Sequence, residues 1–282
     1  MKAFISVDLE GMPYIVIPGH LNLRGPLYEE ARRIATKISL ITADELNKSG
    51  FDKVIIADSH GPMVNLLVDD LPECVEIVRG FPRPLSMVSG IEGCKTAMFL
   101  GYHAKFGTPK STFDHTYSSA SINRVEVNGI AASEFLLNAY VAGEDGVPVT
   151  LVAGEAQLLD DDVKKNAPWA ETVALKTSMS RLSAKSASMT SIEKELRNAV
   201  KKAIVNQKRG RTELLVAKKP VKVAINFLST QFADAAELLP SIKRIGGLRV
   251  EYTAKTMADA YKTLELLTLA SSGMQALMEG MR

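Results

Sequence analysis

Short β-branched runs alternate with longer amphipathic stretches over the first 155 residues, and this alternation constrains the fold more than any other feature. Strands joined by helices form parallel sheets, because each parallel connection needs a long crossover. Strands are predicted at Ala3 to Leu9, Lys53 to Ala57, Val75 to Val78, Ala97 to Leu100 and Pro148 to Ala153. Helices are predicted to begin at Pro26 and to span Ala131 to Ala142. We therefore expect an α/β fold, a mostly parallel open sheet with helices on both faces.

The remainder of the chain has a different pattern. Residues 176–191 are rich in Ser, Lys and Met with little periodicity, which predicts a long loop. The capping pattern Thr190-x-x-Glu193 predicts the start of a helix. Later elements are predicted as strands at Val221 to Leu228 and Leu248 to Tyr252, and as a final helix capped by Thr256. We expect two domains, an α/β domain over residues 1–155 and a smaller α+β domain over residues 156–282.

Composition excludes several classes of protein. The net charge of +2 argues against a nucleic-acid partner, and the 6% aromatic content argues against a platform for stacked bases. Cys74 and Cys94 lie far apart without a CxxC motif, which argues against a disulfide scaffold. No apolar stretch approaches the ~18 residues of a membrane span. The acidic start lacks the pattern of a signal peptide, so we expect a cytoplasmic protein without a membrane or nucleic-acid partner.

The candidate chemistry lies where the predicted strands end. Two of the four histidines, His60 and His103, follow predicted buried strands, and Asp8 and Glu10 lie at the end of the first strand. The strand period of two places both carboxylates on one side of the chain. Because the carboxyl ends of parallel strands line one crevice, these side chains are expected to meet there. Imidazole and carboxylate groups from three strand ends form a set that can bind Zn²⁺ or a similar divalent ion.

Each of these residues also has a simpler structural interpretation. An aspartate after a strand is often a turn former, and a histidine there is often held by structural hydrogen bonds. Taken alone, His115 fits an exposed loop, and Glu134 fits the start of a helix, where the helix dipole favours a carboxylate. Spacing alone therefore leaves metal binding and structural roles open. The absence of GxGxxG, P-loop and GxSxG motifs gives no support to nucleotide binding or to a serine nucleophile.

Together the motifs resemble a known family. The segment Ser6-Val7-Asp8-Leu9-Glu10-Gly11 is similar to the SxDxEG signature of the D-aminopeptidase family of zinc metallopeptidases. Later blocks match that family in order and at similar spacing: Asp58-Ser59-His60, Gly101-Tyr102-His103-Ala104, His115-Thr116 and Asn138 to Gly143. The resemblance continues through the segment Thr177 to Arg181. Each block alone is unspecific, but five in order are hard to obtain by chance. The resemblance extends over nearly the whole chain.

The resemblance implies a site with two zinc ions. In that family pattern, Asp8 would bridge both ions, Glu10 and His60 would complete one site, and His103 and Glu134 would complete the other. Two such ions about 3.5–4 Å apart share a water and polarise a scissile carbonyl. The role of Glu134 rests on the resemblance alone, whereas the other ligands also follow from their positions at strand ends.

The resemblance also implies the activity and the assembly. His115 would act on the substrate or on the attacking water, as general base, general acid or oxyanion stabiliser. The expected reaction is the release of N-terminal D-amino acids from short peptides. The expected assembly is a ring-shaped homodecamer of two stacked pentamers, in which the second domain contributes to assembly and to substrate access.

Two segments depart from the family pattern. Met12-Pro13-Tyr14-Ile15 follows the first motif, and Gly154-Glu155-Ala156 stands where the family more usually has Gly-Asp-Asp. The pocket lining is therefore expected to differ more than the metal ligands. Two alternative functions remain from the sequence: a two-metal amidohydrolase acting on another small amide, and a non-catalytic protein that binds peptides or metal.

Overall fold

The computed structural model describes residues 1–281, and the strands of these residues form two sheets. In chain order the strands are β1 (Lys2–Val7), β2 (Lys53–Asp58), β3 (Val75–Val78), β4 (Ala97–Tyr102), β5 (Ile122–Val127), β6 (Ile130–Ala131), β7 (Val149–Glu155), β8 (Glu171–Ser180), β9 (Ser183–Lys185), β10 (Val221–Phe227), β11 (Lys243–Arg244) and β12 (Arg249–Ala254). The predicted strands of the first 155 residues are all present.

Residues 1–281 also contain six helical elements. They are α1 (Tyr28–Lys48), α2 (Glu134–Glu144), α3 (residues 156–166, with a π-helical turn at Leu159–Val163), α4 (Met189–Lys208), α5 (Thr230–Ala236) and α6 (Met257–Gly280). Short 3₁₀ turns lie at Pro18–His20 and Ser86–Val88. Within residues 1–281, no helix combines the length and apolar character that crossing a membrane requires.

The first sheet has the order β3-β2-β1-β4-β7-β8-β9, and every neighbouring pair is parallel except β8 with β9. Successive residues of β1 face opposite sides, so Phe4 belongs to one apolar cluster and Ile5 to the other. Helices α1 and α4 cover the side of Ile5, and α2 covers the side of Phe4. The prediction of a mostly parallel sheet with helices on both faces is confirmed.

The second sheet is antiparallel and has the order β11-β12-β10-β5-β6. Its apolar residues, including Val125 of β5 and Ile225 of β10, join the cluster that contains α2 and the C-terminal helix α6. Tyr261 and Leu264 of α6 are buried in that same cluster. Helix α6 therefore packs on the second sheet and on α2, the helix that covers the side of Phe4 in the first sheet.

The predicted long loop over residues 176–191 is wrong. Strand β8 continues to Ser180, β9 follows, and α4 begins at Met189 with Ser188, rather than Thr190, as its N-cap. The sequence pattern did not predict β8 because Lys176 and Ser178 are polar but buried, and because the register of β8 with β7 shifts beside Glu155. Buried polar side chains on a strand remove the apolar alternation on which the prediction depends.

The sheets do not divide at residue 155. Strands β5 and β6 precede that residue but belong to the second sheet, whereas β8, β9 and α4 follow it and belong with the first. Helix α2 also begins at Glu134 rather than Ala131, because the Ser133 hydroxyl accepts a hydrogen bond from the Leu136 N–H at 3.2 Å and caps the helix there. The separation into domains over residues 1–155 and 156–282 stays a prediction.

Candidate metal centre

The carboxyl ends of β2, β1 and β4 lie side by side and bring the predicted residues together. Asp8 directly follows β1, His60 follows β2 by two residues, and His103 directly follows β4. Asp8, Glu10 and His103 are almost fully buried, and His60 is nearly so. The meeting of the three strand ends is the arrangement that the sequence predicts, since β1 lies between β2 and β4 in the sheet.

One half of the cluster surrounds His60. Its Nδ1 lies 2.8 Å from Glu10 Oε2 and 3.4 Å from Asp8 Oδ1. These three side chains place one potential ligand atom each within 4.8 Å of one another. They form a compact group of one imidazole and two carboxylates, which is a donor set for a divalent ion.

The other half surrounds His103 and also uses Asp8. His103 Nε2 lies 3.6 Å from Asp8 Oδ2 and 3.6 Å from Glu134 Oε2. Glu134 is the first residue of α2, so it approaches the sheet edge from outside the sheet. Its other oxygen accepts the Tyr117 N–H at 2.7 Å and lies 3.6 Å from His115 Nε2. Asp8 is thus shared by both halves of the cluster.

Two glycines allow the strand ends to approach this closely. A Cβ on Gly101, whose φ is +74°, would lie 2.0 Å from the Asp8 carbonyl oxygen. A Cβ on Gly11 would lie 2.0 Å from the Tyr102 carbonyl oxygen. Both positions exclude any larger residue, because the backbones on either side form hydrogen bonds at this point. The glycines of the two motifs therefore set the distance between Asp8 and His103.

Each histidine of the cluster has one ring nitrogen bound to a backbone carbonyl. A carbonyl can only accept, so the bound nitrogen must carry a proton and the other nitrogen faces the carboxylates. The bonds run from His60 Nε2 to Leu21 O (3.0 Å), from His103 Nδ1 to Ala104 O (3.0 Å) and from His115 Nδ1 to Phe113 O (2.6 Å). Metal-binding histidines are held in this way, which fixes both the tautomer and the direction of the ring.

Two buried atoms of the cluster have no hydrogen-bond partner. They are Asp8 Oδ2 and His103 Nε2, and they face each other. An unpaired buried oxygen and nitrogen cost free energy, and native structures usually pair them or bind an ion there. The residues therefore fit a bound cation at the point where Asp8 and His103 meet.

The crowding of carboxylates shifts the pKa values of the cluster. Burial, together with the nearby charges of Glu10 and Glu134, raises the pKa of Asp8 well above its ordinary range. Burial opposes the charged forms of Glu10 and His60, but their mutual attraction outweighs it, lowering the pKa of Glu10 and raising that of His60. In the same way the carboxylates of Glu134 and Asp8 raise the pKa of His103 to about 10. These shifts have one cause, which is that three carboxylates surround two imidazoles in a buried site.

His115 lies against this cluster rather than in an exposed loop. Its ring stacks on that of His103, with centroids 4.4 Å apart and an interplanar angle of 21°. Burial and repulsion from His103 lower the pKa of His115. With Glu10 and His103 it also forms a third group of potential ligand atoms within 4.8 Å. The geometry therefore allows His115 to act either as an acid or base or as a ligand.

The cluster opens into a cavity of about 970 Å³. Its lining includes Asp8, Glu10, His60, His115 and Glu134, together with residues of α6. Apart from the histidines, Arg24 and Arg181 are the positively charged side chains of this lining among residues 1–281. Arg181 forms an ion pair with Asp114, the residue before His115. The positively charged guanidinium of Arg181 is thereby held at the cavity wall beside His115.

Two further buried residues support the site, and sequence reasoning missed both of them. The Lys176 ammonium donates to the carbonyl oxygens of Glu10 and Ile15, and burial lowers its pKa to about 8. Glu155 is fully buried and accepts hydrogen bonds from the loop that follows His103. A carboxylate at the end of the predicted strand over residues 148–153 was the one available signal for Glu155, whereas Lys176 lay in the segment predicted to be a loop.

Comparisons with known proteins agree with this geometry. The family model described as D-aminopeptidase, the M55 peptidases, matches residues 1–266. The chain belongs to the D-aminopeptidase family. A relative named D-aminopeptidase, from Bacillus subtilis (strain 168), is 32% identical over 274 residues, which cover 95% of this chain and 97% of the relative.

A solved structure resembles the present chain over nearly its whole length. It is described as the Zn-dependent D-aminopeptidase DppA from Bacillus subtilis, a self-compartmentalizing protease. The TM-score is 0.91 at 30% sequence identity, and the match covers 96% of this chain and 98% of the other. The fold and the family named by the sequence motifs are thus confirmed.

Proposed function

We propose that this chain is a zinc-dependent aminopeptidase that hydrolyses short peptides and releases N-terminal D-amino acids. The observation that carries the proposal is the pair of overlapping ligand groups, Asp8 with Glu10 and His60, and Asp8 with His103 and Glu134. The zinc-dependent relative and the family match support the metal and the reaction. The name of the Bacillus subtilis relative supports the preference for D-residues.

In this proposal each group would hold one zinc ion, and Asp8 would contribute to both sites. Aspartate suits a bridging role because its two oxygens point in different directions, Oδ1 toward His60 and Oδ2 toward His103. The unpaired Oδ2 and the unpaired His103 Nε2 support the second ion in particular. Zinc bound here would lower the pKa of a water to about 7 and polarise the scissile carbonyl.

His115 is proposed as the residue that moves the proton. Because its Nδ1 donates to the Phe113 carbonyl, its Nε2 carries the free lone pair and faces Glu134 and the cavity. This nitrogen is placed to accept a proton from the attacking water and to return it to the leaving amine. Glu134 Oε1, 3.6 Å away, favours the protonated ring between these two steps.

The cavity wall suits the charged end of a short peptide. Arg181 is half exposed and held by Asp114, so its remaining N–H groups are free to bind a carboxylate. This arrangement supports short peptides with a free C-terminus as substrates, since a longer chain places its carboxylate elsewhere.

The assembly is proposed to be a ring-shaped homodecamer of two stacked pentamers. Leu23, Phe81 and Leu182 line the cavity yet are more than half exposed, at 57%, 53% and 57%. Apolar side chains around a cavity mouth are typical of surfaces that another subunit covers. Sedimentation equilibrium measures the mass of the assembly directly, and a monomer at micromolar concentration would contradict this part of the proposal.

The first test combines metal content with turnover. Protein purified without chelator is expected to contain about two zinc ions per chain and to hydrolyse D-peptides with a free amino terminus. A chelator is expected to abolish turnover and zinc to restore it. Asp8→Asn is expected to lose both ions, because an amide offers one neutral oxygen where the carboxylate offers two charged ones, whereas His60→Ala is expected to lose about one. Elemental analysis of each variant measures these contents.

The substrate panel separates the alternatives. It contains peptides with N-terminal D- and L-residues, the same peptides with a blocked amine, and amino-acid amides. Turnover of amides alone would favour an amidohydrolase acting on another small substrate. Metal binding with no turnover of any substrate would favour a binding protein and would overturn the proposal.

His115→Gln distinguishes proton transfer from metal binding. Glutamine keeps a polar group of similar reach but does not accept and release a proton near neutral pH. We expect kcat to fall by about 100-fold or more while zinc content stays at the wild-type value. Loss of one zinc ion in this variant, measured by elemental analysis, would instead assign His115 to the ligand set.

Arg181→Ala tests recognition of the substrate carboxylate. For a dipeptide with a free C-terminus, KM is expected to rise by about tenfold, which corresponds to about 1.4 kcal/mol. For the same dipeptide amidated at its C-terminus, KM is expected to change by less than about twofold, because no charge pair is lost. The amidated substrate is the control for any disturbance of Asp114. Equal changes for both substrates would show that Arg181 does not bind the carboxylate.

A further inference from the structure

The peptide group of Ala104 connects the two histidines that face Glu134. Its carbonyl oxygen accepts the His103 Nδ1–H at 3.0 Å and the backbone N–H of His115 at 3.3 Å. The direction of this carbonyl therefore influences the aim of the His103 ring and the position of the His115 backbone. A rotation of one peptide group would disturb both residues together.

The N–H of Ala104, which belongs to the preceding peptide group, is held by Glu155. Its Oε2 accepts the Ala104 N–H at 3.1 Å, and it also accepts the Ser111 hydroxyl. Its Oε1 accepts the Thr112 N–H at 2.8 Å, with further hydrogen bonds from the hydroxyls of Thr112 and Ser178. Every partner of this fully buried side chain is a donor in these contacts, so both of its oxygens serve as acceptors.

We propose that Glu155 is a positioning residue that fixes the backbone of Ala104 through its N–H. It thereby sets the direction of the Ala104 carbonyl, which aims His103 Nε2 at Asp8 and holds His115 at the cavity wall. Glu155 lies at the end of β7, next to β4 in the sheet, so it reaches the loop after His103 from a rigid strand. It contacts none of the proposed ligands itself. The inference rests on the proposed function, because it concerns the alignment of that site.

Replacing Glu155 by glutamine keeps the shape of the side chain but turns one of its two acceptor oxygens into an NH₂ donor. The two carboxylate oxygens each accept one backbone N–H, from Ala104 and from Thr112. Whichever way the amide of Glu155→Gln turns, its NH₂ group meets one of these N–H groups, and two donors repel. A backbone N–H differs from a hydroxyl in this respect, because it cannot rotate to become an acceptor.

The experiment compares Glu155→Gln with a control that loosens the same loop. The Gln157 amide donates to the Lys110 and Ser178 carbonyls, each at 2.8 Å, and so ties that loop to β8 without touching Ala104. Gln157→Ala therefore removes comparable hydrogen bonds but leaves the contact between Glu155 and Ala104. Both variants are prepared as intact, zinc-loaded protein and also as cobalt-loaded protein, whose visible absorption reports the coordination geometry.

We expect Glu155→Gln to lower kcat by about 10- to 100-fold with KM within about twofold of wild type, the usual effect of losing an outer hydrogen bond behind a metal ligand. Its cobalt spectrum is expected to differ from that of wild type. Gln157→Ala is expected to keep both kcat and the spectrum, even where its melting temperature falls. Wild-type kcat and spectrum in Glu155→Gln, or equal losses in both variants, would overturn the inference.

Glu155→Asp keeps the inference testable if the glutamine variant does not fold. Aspartate retains the charge and the acceptors but is one methylene shorter, so it cannot reach Ala104 and Thr112 at the present distances. Its kcat is expected to lie between those of wild type and Glu155→Gln, and a kcat equal to that of Gln157→Ala contradicts the positioning role. Failure of the proposed function is distinct, since wild type would then show no zinc-dependent hydrolysis.

Discussion

Repulsion among three buried carboxylates is the constraint on which the rest of the site depends. Asp8, Glu10 and Glu134 converge at one edge of the first sheet with little access to water. Burying negative charge in this way is costly unless positive charge lies beside it. The two histidines of the cluster supply that charge when protonated, and a divalent ion supplies more of it in a smaller volume. Without added positive charge the cluster destabilises the fold, and this makes it a favourable binding site for cations.

A cation can bind here only if the histidine rings keep their orientation toward the carboxylates. Each ring has one nitrogen that is held by a carbonyl of the main chain. The strand ends that carry the ligands are themselves held close, because Gly11 and Gly101 let the backbones of β1 and β4 touch. The ligand directions therefore come from main-chain carbonyls in the loops beside the strand ends, and these loops must themselves be held in place.

The same physical argument explains which parts of the site the sequence could predict. Asp8, His60 and His103 follow strands of a parallel sheet, and the topology alone brings such residues to one edge. Glu134 and His115 arrive from a helix start and from a loop, and no periodicity links either to that edge, so a resemblance was needed to single them out. Lys176 could not be recognised because a buried polar residue on a strand looks like a surface residue in sequence. The one signal for Glu155 was its place at the end of a predicted strand, which does not show that it is buried.

Strand β8 shows why that last group matters. It contributes no ligand to the proposed site, yet its buried side chains reach both halves. The Lys176 ammonium donates to the Glu10 carbonyl, and its nitrogen lies 5.3 Å from the centre of the Phe113 ring. The backbone carbonyl of Phe113 in turn accepts the hydrogen bond from His115. Ser178 donates to Glu155, which holds the loop after His103. The polar residues that hid β8 in the sequence are therefore the ones that connect the two halves of the cluster. They do so because, once buried, they form hydrogen bonds with the segments that hold Glu10 and His103.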